Sequence, residues 1–429
     1  EKMKKFLFVF LISCFSLTVF SCSEDKEEYT ENTDNTTTTD NTTTTDNTTT
    51  TDNTTTTDNT TTTDTTAPVI AEVTAVTTPT TDTTPNYTFS SDEAGTITYG
   101  GSCSSSTTSA ISGNNTINLT PLSIGTYSDC TISVKDSAGN TGNTLAITSF
   151  AVIPSYVAVG GYLTIQSSTN GTSWSSISYG GDDNFYAVTY GKNTFVTVGE
   201  GGNIFSSSDG ISWDNRTSGT TISLTGVAFG NNTFVTVGGN AGEEIILTST
   251  DGISWNNSNT NLSRELNNVR FVNNTFVTDG SNSSIFSSSD GISWDNKTHP
   301  STSKDLTDVT YANSTFVVVG ENAFILTSSD GTTWTERTIT TSVSWSGVAY
   351  GNSTFVIVSS TGNNVATSSD GTTWDYEDIG KFWGVIYANN TFMAVGSGQT
   401  GLISTSSDGI SWSSTSSSIR INKVIYIEQ

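Results

Sequence analysis

The stretch SSSDGISW (206–213) returns with small changes as TSTDGISW (248–255), SSSDGISW (287–294), TSSDGTTW (327–334), TSSDGTTW (367–374) and STSSDGISW (404–412). A weaker copy, SSTNGTSW (167–174), precedes them. The tryptophans Trp174, Trp213, Trp255, Trp294, Trp334, Trp374 and Trp412 are spaced 39, 42, 39, 40, 40 and 38 residues apart. The recurring acidic residue is either a set of functional carboxylates or one structural part used repeatedly, and the surrounding sequence decides which.

One unit reads LTDVTYANSTFVVVGENAFILTSSDGTTWTERT (306–338). Strand A, DVTYA, is joined by a tight Asn-Ser turn to strand B, TFVVVG. Strand C, FILTS, follows, then the Ser-Asp-Gly turn, then strand D from Trp334. Four strands at a period near 40 are the pattern of a β-propeller. The nearly continuous apolar runs in strands A and B suit strands covered by blades on both faces. The first unit lacks strand A, because SYVAVG (155–160) aligns with strand B. The last unit is followed by INKVIYI (421–427), whose Val424 and Tyr426 match Val309 and Tyr311 of strand A. The C-terminal strand therefore completes blade one and closes a seven-bladed ring over residues 154–429, leaving no open sheet edge.

Residues 155–429 resemble the Asp-box, or BNR-like, propellers shared by sialidases, xyloglucanases and the photosystem II assembly factor family. The family box is close to S-x-D-x-G-x-T-W, and here it is one residue shorter, S-x-D-G-x-[ST]-W. In this reading Asp209, Asp251, Asp290, Asp330, Asp370 and Asp408 accept backbone N–H bonds in the C–D turn, the Gly takes a positive φ, and the Trp packs between blades. Asn170 fills the acidic position in the first blade, which a turn tolerates and charge-dependent chemistry does not. These residues are expected to be structural.

The rest of the chain fits an exported, all-β protein. Thr, Ser, Gly and Asn abound, with Val and aromatics in short runs. A net charge of −26, from 15 Lys+Arg against 41 Asp+Glu, with no basic stripe, excludes nucleic-acid binding. Residues 1–22 carry a basic start and an apolar run ending VFSC, which resembles a bacterial lipobox with Cys22 as the lipidated residue. Cleavage before Cys14 and an ordinary cleaved signal are alternatives. Residues 23–66, built on DNTTTT, are a polar tether. Residues 67–153 hold six or seven short strands and resemble bacterial Ig-like modules, an Ig-like β-sandwich ahead of the propeller. In it Cys103 and Cys130 are expected to form a disulfide. Tyr127 is a candidate tyrosine corner, and DSAGN (136–140) is a hairpin turn, with a calcium loop as the alternative.

A site, if the propeller has one, belongs on the face of the variable D–A and B–C loops. Tyr186 and Trp383 stand at strand A entrances where other units carry Thr, Ser or Asn, and blades two and seven flank blade one. Asp182, Asp183, Asp378 and Lys381 lie close to them in sequence, so the group is either a sugar-binding rim or plugging of the core. Arg270 and Asp279 depart from the apolar pattern of blade four. With the turn at Asn273–Asn274, Arg270 opposes Val277, and the two charges fall diagonally on one sheet face as an expected ion pair, either a compensated structural pair or a polar patch near the channel. His299 is a D–A loop residue.

The expected function is a non-catalytic envelope lipoprotein, at the outer membrane or cell surface, presenting the propeller to a protein or glycan. It is expected to be a monomer with no cofactor and no metal. The alternative is a glycoside hydrolase of sialidase-like or xyloglucanase-like type, drawing on Glu200, Glu243 or Glu321. The chain has five arginines and no FRIP-like stretch, whereas sialidases clamp carboxylate with three converging arginines.

Overall fold

The structure is a computed structural model that describes residues 63–240, 243–258, 260, 262–297, 303–396, 401–417 and 420–428. Cys22, the tether to residue 62 and His299 lie outside the described residues. The described residues are all-β, with two single-turn 3-10 segments, Glu200–Gly202 and Ser281–Ser283, and no α-helix.

Ahead of the repeats, Ile70–Thr74, Asn86–Ser91 and Gly113–Asn118 form one antiparallel sheet, and Ser109–Ala110, Gly95–Gly100, Thr131–Lys135 and Leu145–Ala146 a second. They enclose Tyr87, Phe89, Ile97, Ile117, Ile132, Val134 and Phe150. A disulfide joins Cys103 to Cys130 inside this core. The Tyr127 hydroxyl donates to the Ser123 carbonyl at 2.8 Å. The Asp136 carboxylate accepts from the Gly139 and Asn140 N–H groups at 2.7 and 2.8 Å, so it serves its own turn.

From Tyr156 onward come seven four-stranded antiparallel sheets. Six are plain meanders, such as Leu306–Ala312, Thr315–Gly320, Ile325–Ser328 and Thr335–Arg337. The sheet of Tyr156–Gly160, Thr164–Ser168 and Ser175–Ser178 takes its innermost strand from Ile421–Tyr426 at the other end of the repeats. That strand also packs against the inner strands of the second and seventh blades, Phe185–Gly191 and Gly384–Ala388, so the ring is closed. Seven apolar clusters each span two consecutive blades, the last uniting Met393 and Val395 of blade seven with Tyr156, Ile421 and Val424 of blade one.

The A–B hairpins turn on pairs with left-handed backbone at both central residues, such as Asn273 and Asn274 (φ 48° and 56°) and Asn313 and Ser314 (φ 48° and 56°). This is the two-residue turn whose twist matches the flanking strands, and Asn tolerates it best after Gly.

Each box is one hydrogen-bonded turn. Ser207 Oγ accepts the Gly210 N–H at 2.8 Å, while Asp209 Oδ1 accepts the Ile211 and Ser212 N–H groups, both at 2.8 Å. Asp251, Asp290, Asp330, Asp370 and Asp408 repeat this, and Asn170 Oδ1 takes the same two bonds at 2.9 Å. The N–H groups of Ser411 and Ile410 hold the Asp408 carboxyl at about 2. In the first, fourth, sixth and seventh blades the Trp174, Trp294, Trp374 and Trp412 indole N–H closes the loop by donating to the box Gly carbonyl. The box carboxylates are taken up by backbone N–H groups of their own turns.

Candidate functional site

The inner strands start earlier than the apolar runs suggest, at Leu306 rather than Asp308 in blade five. Their second residue is a bulge: register slips between Phe185 and Ala187, Leu224 and Gly226, Leu266 and Asn268, Leu306 and Asp308, and Trp345 and Gly347. A bulge leaves one residue out of the ladder and re-aims its side chain, here into the mouth of the central channel.

Five of the seven blades use that residue to tie neighbours together. Asn422 Nδ2 donates to Phe185 O (2.7 Å), Thr225 Oγ1 to Leu266 O (2.8 Å) and Asn267 Nδ2 to Leu306 O (2.7 Å). Thr307 Oγ1 donates to Trp345 O (2.8 Å) and Ser346 Oγ to Phe382 O (2.6 Å). Tyr186 holds the equivalent position in blade two. In blade seven it is Trp383, whose N–H donates to Val395 O at 2.7 Å. Two aromatics thus stand where the repeat otherwise places an interblade tie.

Tyr186 and Trp383 line one cavity of about 180 Å³ together with those five polar residues, Asn268, Arg420 and Lys423. The Arg420 guanidinium lies over the Trp383 ring, 4.8 Å from its centroid, a cation–π contact that fixes a long side chain in place. Asp183, Asp378 and Lys381 do not join this lining. Asp183 accepts from Asn203 Nδ2 at 2.9 Å, and Asp378 ends an outer strand, exposed, as is Lys381. Proximity in sequence failed there because the chain turns outward just before each bulge. Burial and the Glu200 charge raise the Tyr186 hydroxyl above its usual range, and Arg420 opposes them.

Below the mouth lies a charged cluster centred on Asp308, a fully buried carboxylate. Its Oδ1 accepts from Asn268 Nδ2 (2.8 Å) and Arg270 Nε (2.9 Å), and its Oδ2 from Arg270 Nη2 (3.0 Å) and the Val348 N–H (3.2 Å). Lys423 Nζ on the closing strand stands 3.5 Å from Oδ2. One carboxylate on blade five therefore holds blades one, four and six. Burial alone would raise its pKa, but the charges of Arg270 and Lys423 prevail and bring it to about 2. Burial and the Arg270 charge lower Lys423 to about 8.

The expected Arg270–Asp279 ion pair is corrected by this geometry. The register is as expected, with Arg270 opposite Val277. The guanidinium instead forks onto Asp308 of the next blade, whose two oxygens meet it bidentately. Asp279 is fully buried, neither carboxyl oxygen has a hydrogen-bond partner among the described residues, and burial and the Asp308 charge push its pKa well up. Sequence reasoning did not single out Asp308 or Lys423, although one signal marks them. Both occupy the third strand A position, where Ala187, Gly226, Gly347 and Gly384 stand in four other blades.

Replacing Asp279 by Asn is expected to stabilise the protein progressively as pH rises. The folded state keeps the Asp279 proton above the usual carboxylate value of 3.8, so it binds more protons than the unfolded chain and loses stability with rising pH. The slope is at most about 1.4 kcal/mol per pH unit. Melting of both proteins at pH 5 and pH 8 checks this: the gain of the Asn variant over wild type should be larger at pH 8 than at pH 5, and equal gains at both would refute it.

These features define a closed β-propeller with an aromatic and cationic channel mouth. No family model and no curated protein matches the sequence. Among solved structures, the chain is similar to YCF48 bound to D1 peptide, at 20% identity over 54% of this chain and 81% of that one, TM-score 0.45. It is also similar to selenomethionine-substituted virginiamycin B lyase from Staphylococcus aureus (12% identity, 56% and 89% covered, TM-score 0.46). The WD40 β-propeller domain of Doa1 is a third (12% identity, 58% and 84% covered, TM-score 0.44).

Proposed function

We propose that the chain is a non-catalytic binding protein of the bacterial envelope, anchored through a lipidated Cys22 and held out on its tether, with the channel mouth as its ligand site. The observation that carries this reading is the pair Tyr186 and Trp383. At the other five bulges a small polar residue secures the adjacent blade. Placing aromatics at the remaining two gives up that tie and leaves partly buried rings lining an open cavity. Apolar surface facing a polar, roomy mouth is what ligand sites offer and what a self-sufficient core avoids. The hydrolase reading finds less support, because glycoside hydrolysis uses two carboxyl groups flanking one bond. The residues lining the mouth include no Asp or Glu. Glu200, Glu243 and Glu321 stand in the second, third and fifth blades, and Glu243 lines a separate cleft beside Arg216.

The test is binding of the full-length protein to a glycan array and, in parallel, to immobilised envelope proteins, with Trp383→Ala beside it. Loss of a ring contributing stacking and burial is expected to weaken binding about tenfold or more while leaving the fold intact. Binding that Trp383→Ala leaves unchanged would move the site elsewhere on the propeller.

A further inference from the structure

We infer that the channel mouth takes an acidic sugar, a hexuronic acid residue of a glycan, with Arg420 as the partner of its carboxylate. The inference rests on the mouth being a ligand site at all, and it adds the chemistry of the ligand.

Charge comes first. Against a protein carrying −26 overall, the cavity is lined by two cations, Arg420 and Lys423, and by no carboxylate. Arg420 is exposed and forms no ion pair among the described residues. Underneath, Arg270 and Lys423 share the single carboxylate of Asp308, at 2.9 and 3.5 Å, while burial and the Asp308 charge raise the pKa of Asp279. Two cations therefore meet one paired carboxylate between low-dielectric walls, which favours a positive field in the cavity. The Glu200 carboxylate is not in the lining; it is engaged by Asn184 Nδ2 at 2.9 Å and acts on the Tyr186 hydroxyl, where Arg420 opposes it.

Pre-organisation comes next. The cation–π contact with Trp383 places the Arg420 guanidinium at the rim, so its planar fork meets a carboxylate with less loss of rotamer freedom than a free side chain. The sequence-level expectation was an aromatic rim with acidic neighbours, which suits a neutral sugar. The structure removes Asp183 and Asp378 from the lining and puts Arg420 and Lys423 there.

The remaining lining selects hydroxyls. Thr225, Thr307 and Ser346 spend their hydroxyl hydrogens on backbone carbonyls of the next blade, which leaves their oxygens as acceptors. A ligand that donates several O–H groups and also presents a carboxylate satisfies both sets. A peptide C-terminus supplies the carboxylate without the cluster of hydroxyls. The volume, about 180 Å³, suits one residue of a chain rather than a long segment.

Titration calorimetry of the full-length protein decides this, using trisaccharides of galacturonate, glucuronate and mannuronate, their carboxyl-reduced neutral counterparts, and a tripeptide with a free C-terminus. At least one uronate should bind about tenfold or more tighter than its neutral counterpart, the worth of one charge-assisted hydrogen bond. Arg420→Gln should abolish that preference with the melting temperature unchanged, and added salt should weaken it. Equal binding of neutral and acidic sugars, still sensitive to Trp383→Ala, would overturn the acidic-sugar inference and leave the mouth as a ligand site. Binding of the tripeptide alone would overturn it in favour of a protein partner. Silence toward every probe and a blank glycan array would overturn both.

Discussion

Ending the chain before Ile421 is expected to abolish cooperative folding of the propeller. Among the described residues, the strand Ile421–Tyr426 alone covers the inner edge of Tyr156–Gly160, whose backbone pairs with it from Tyr156 to Gly160. Ile421, Val424 and Ile427 are each at most 2% exposed, and burying three aliphatic side chains contributes about 5–9 kcal/mol. That is comparable to the whole net stability of a typical domain. The truncation also removes the Asn422 tie to blade two and the Lys423 contact to Asp308. It opens the inner edge of the first blade, a template for aggregation. Circular dichroism and denaturant melts would show a broad, low-temperature transition or insoluble protein. A truncated chain that melts like the full one would mean the ring does not depend on closure.

Asp308→Ala carries the second largest expected effect, a loss of about 3–5 kcal/mol, the usual cost of removing one partner from a buried charge pair. Arg270 and Lys423 would be left facing each other, and the Val348 N–H and the Asn268 amide would lose their acceptor. The effect has a defined pH dependence. Folding lowers the Asp308 pKa from 3.8 to about 2, so the unfolded chain binds more protons between these values. The contribution is fully present above the unfolded value and is lost as pH falls through the folded one. The gap between wild type and Asp308→Ala should therefore be constant from pH 5 to 7 and shrink in strong acid. Replacing Lys423 by Met in the Asp308→Ala background should recover part of the loss, because one uncompensated cation is gone. A double variant no more stable than the single one would show that Lys423 does not sense Asp308.

The sequence was most legible where one local pattern repeats. Asp290 and Asn170 could be assigned to turns because a single residue satisfies neighbouring N–H groups two and three positions on, which needs no knowledge of distant chain. Tyr186 and Trp383 stood out for the same reason, as departures from an internal consensus at one register position. Their placement in one cavity followed from the expected order of blades around a closed ring.

The partners of those residues were less legible. Arg270 lies diagonal to Asp279 in the local register, yet it reaches across to Asp308 in the next blade. The axis of the ring brings side chains 38 residues apart within 2.9 Å, and nothing in a single hairpin encodes that distance. Arg420 directly precedes the closing strand and Lys423 lies in it, and only closure sets them beside blades two, five and seven.

By itself the sequence determined the all-β class, the period, the turn chemistry of the boxes and the strand that completes the first blade. These follow from side-chain alternation and backbone hydrogen bonding within about 40 residues. Tertiary structure alone decided which charges meet at the axis and which side chains share the mouth. Burial there raises the energetic weight of every polar group, and the pairing that satisfies the most of them runs between blades rather than along the chain.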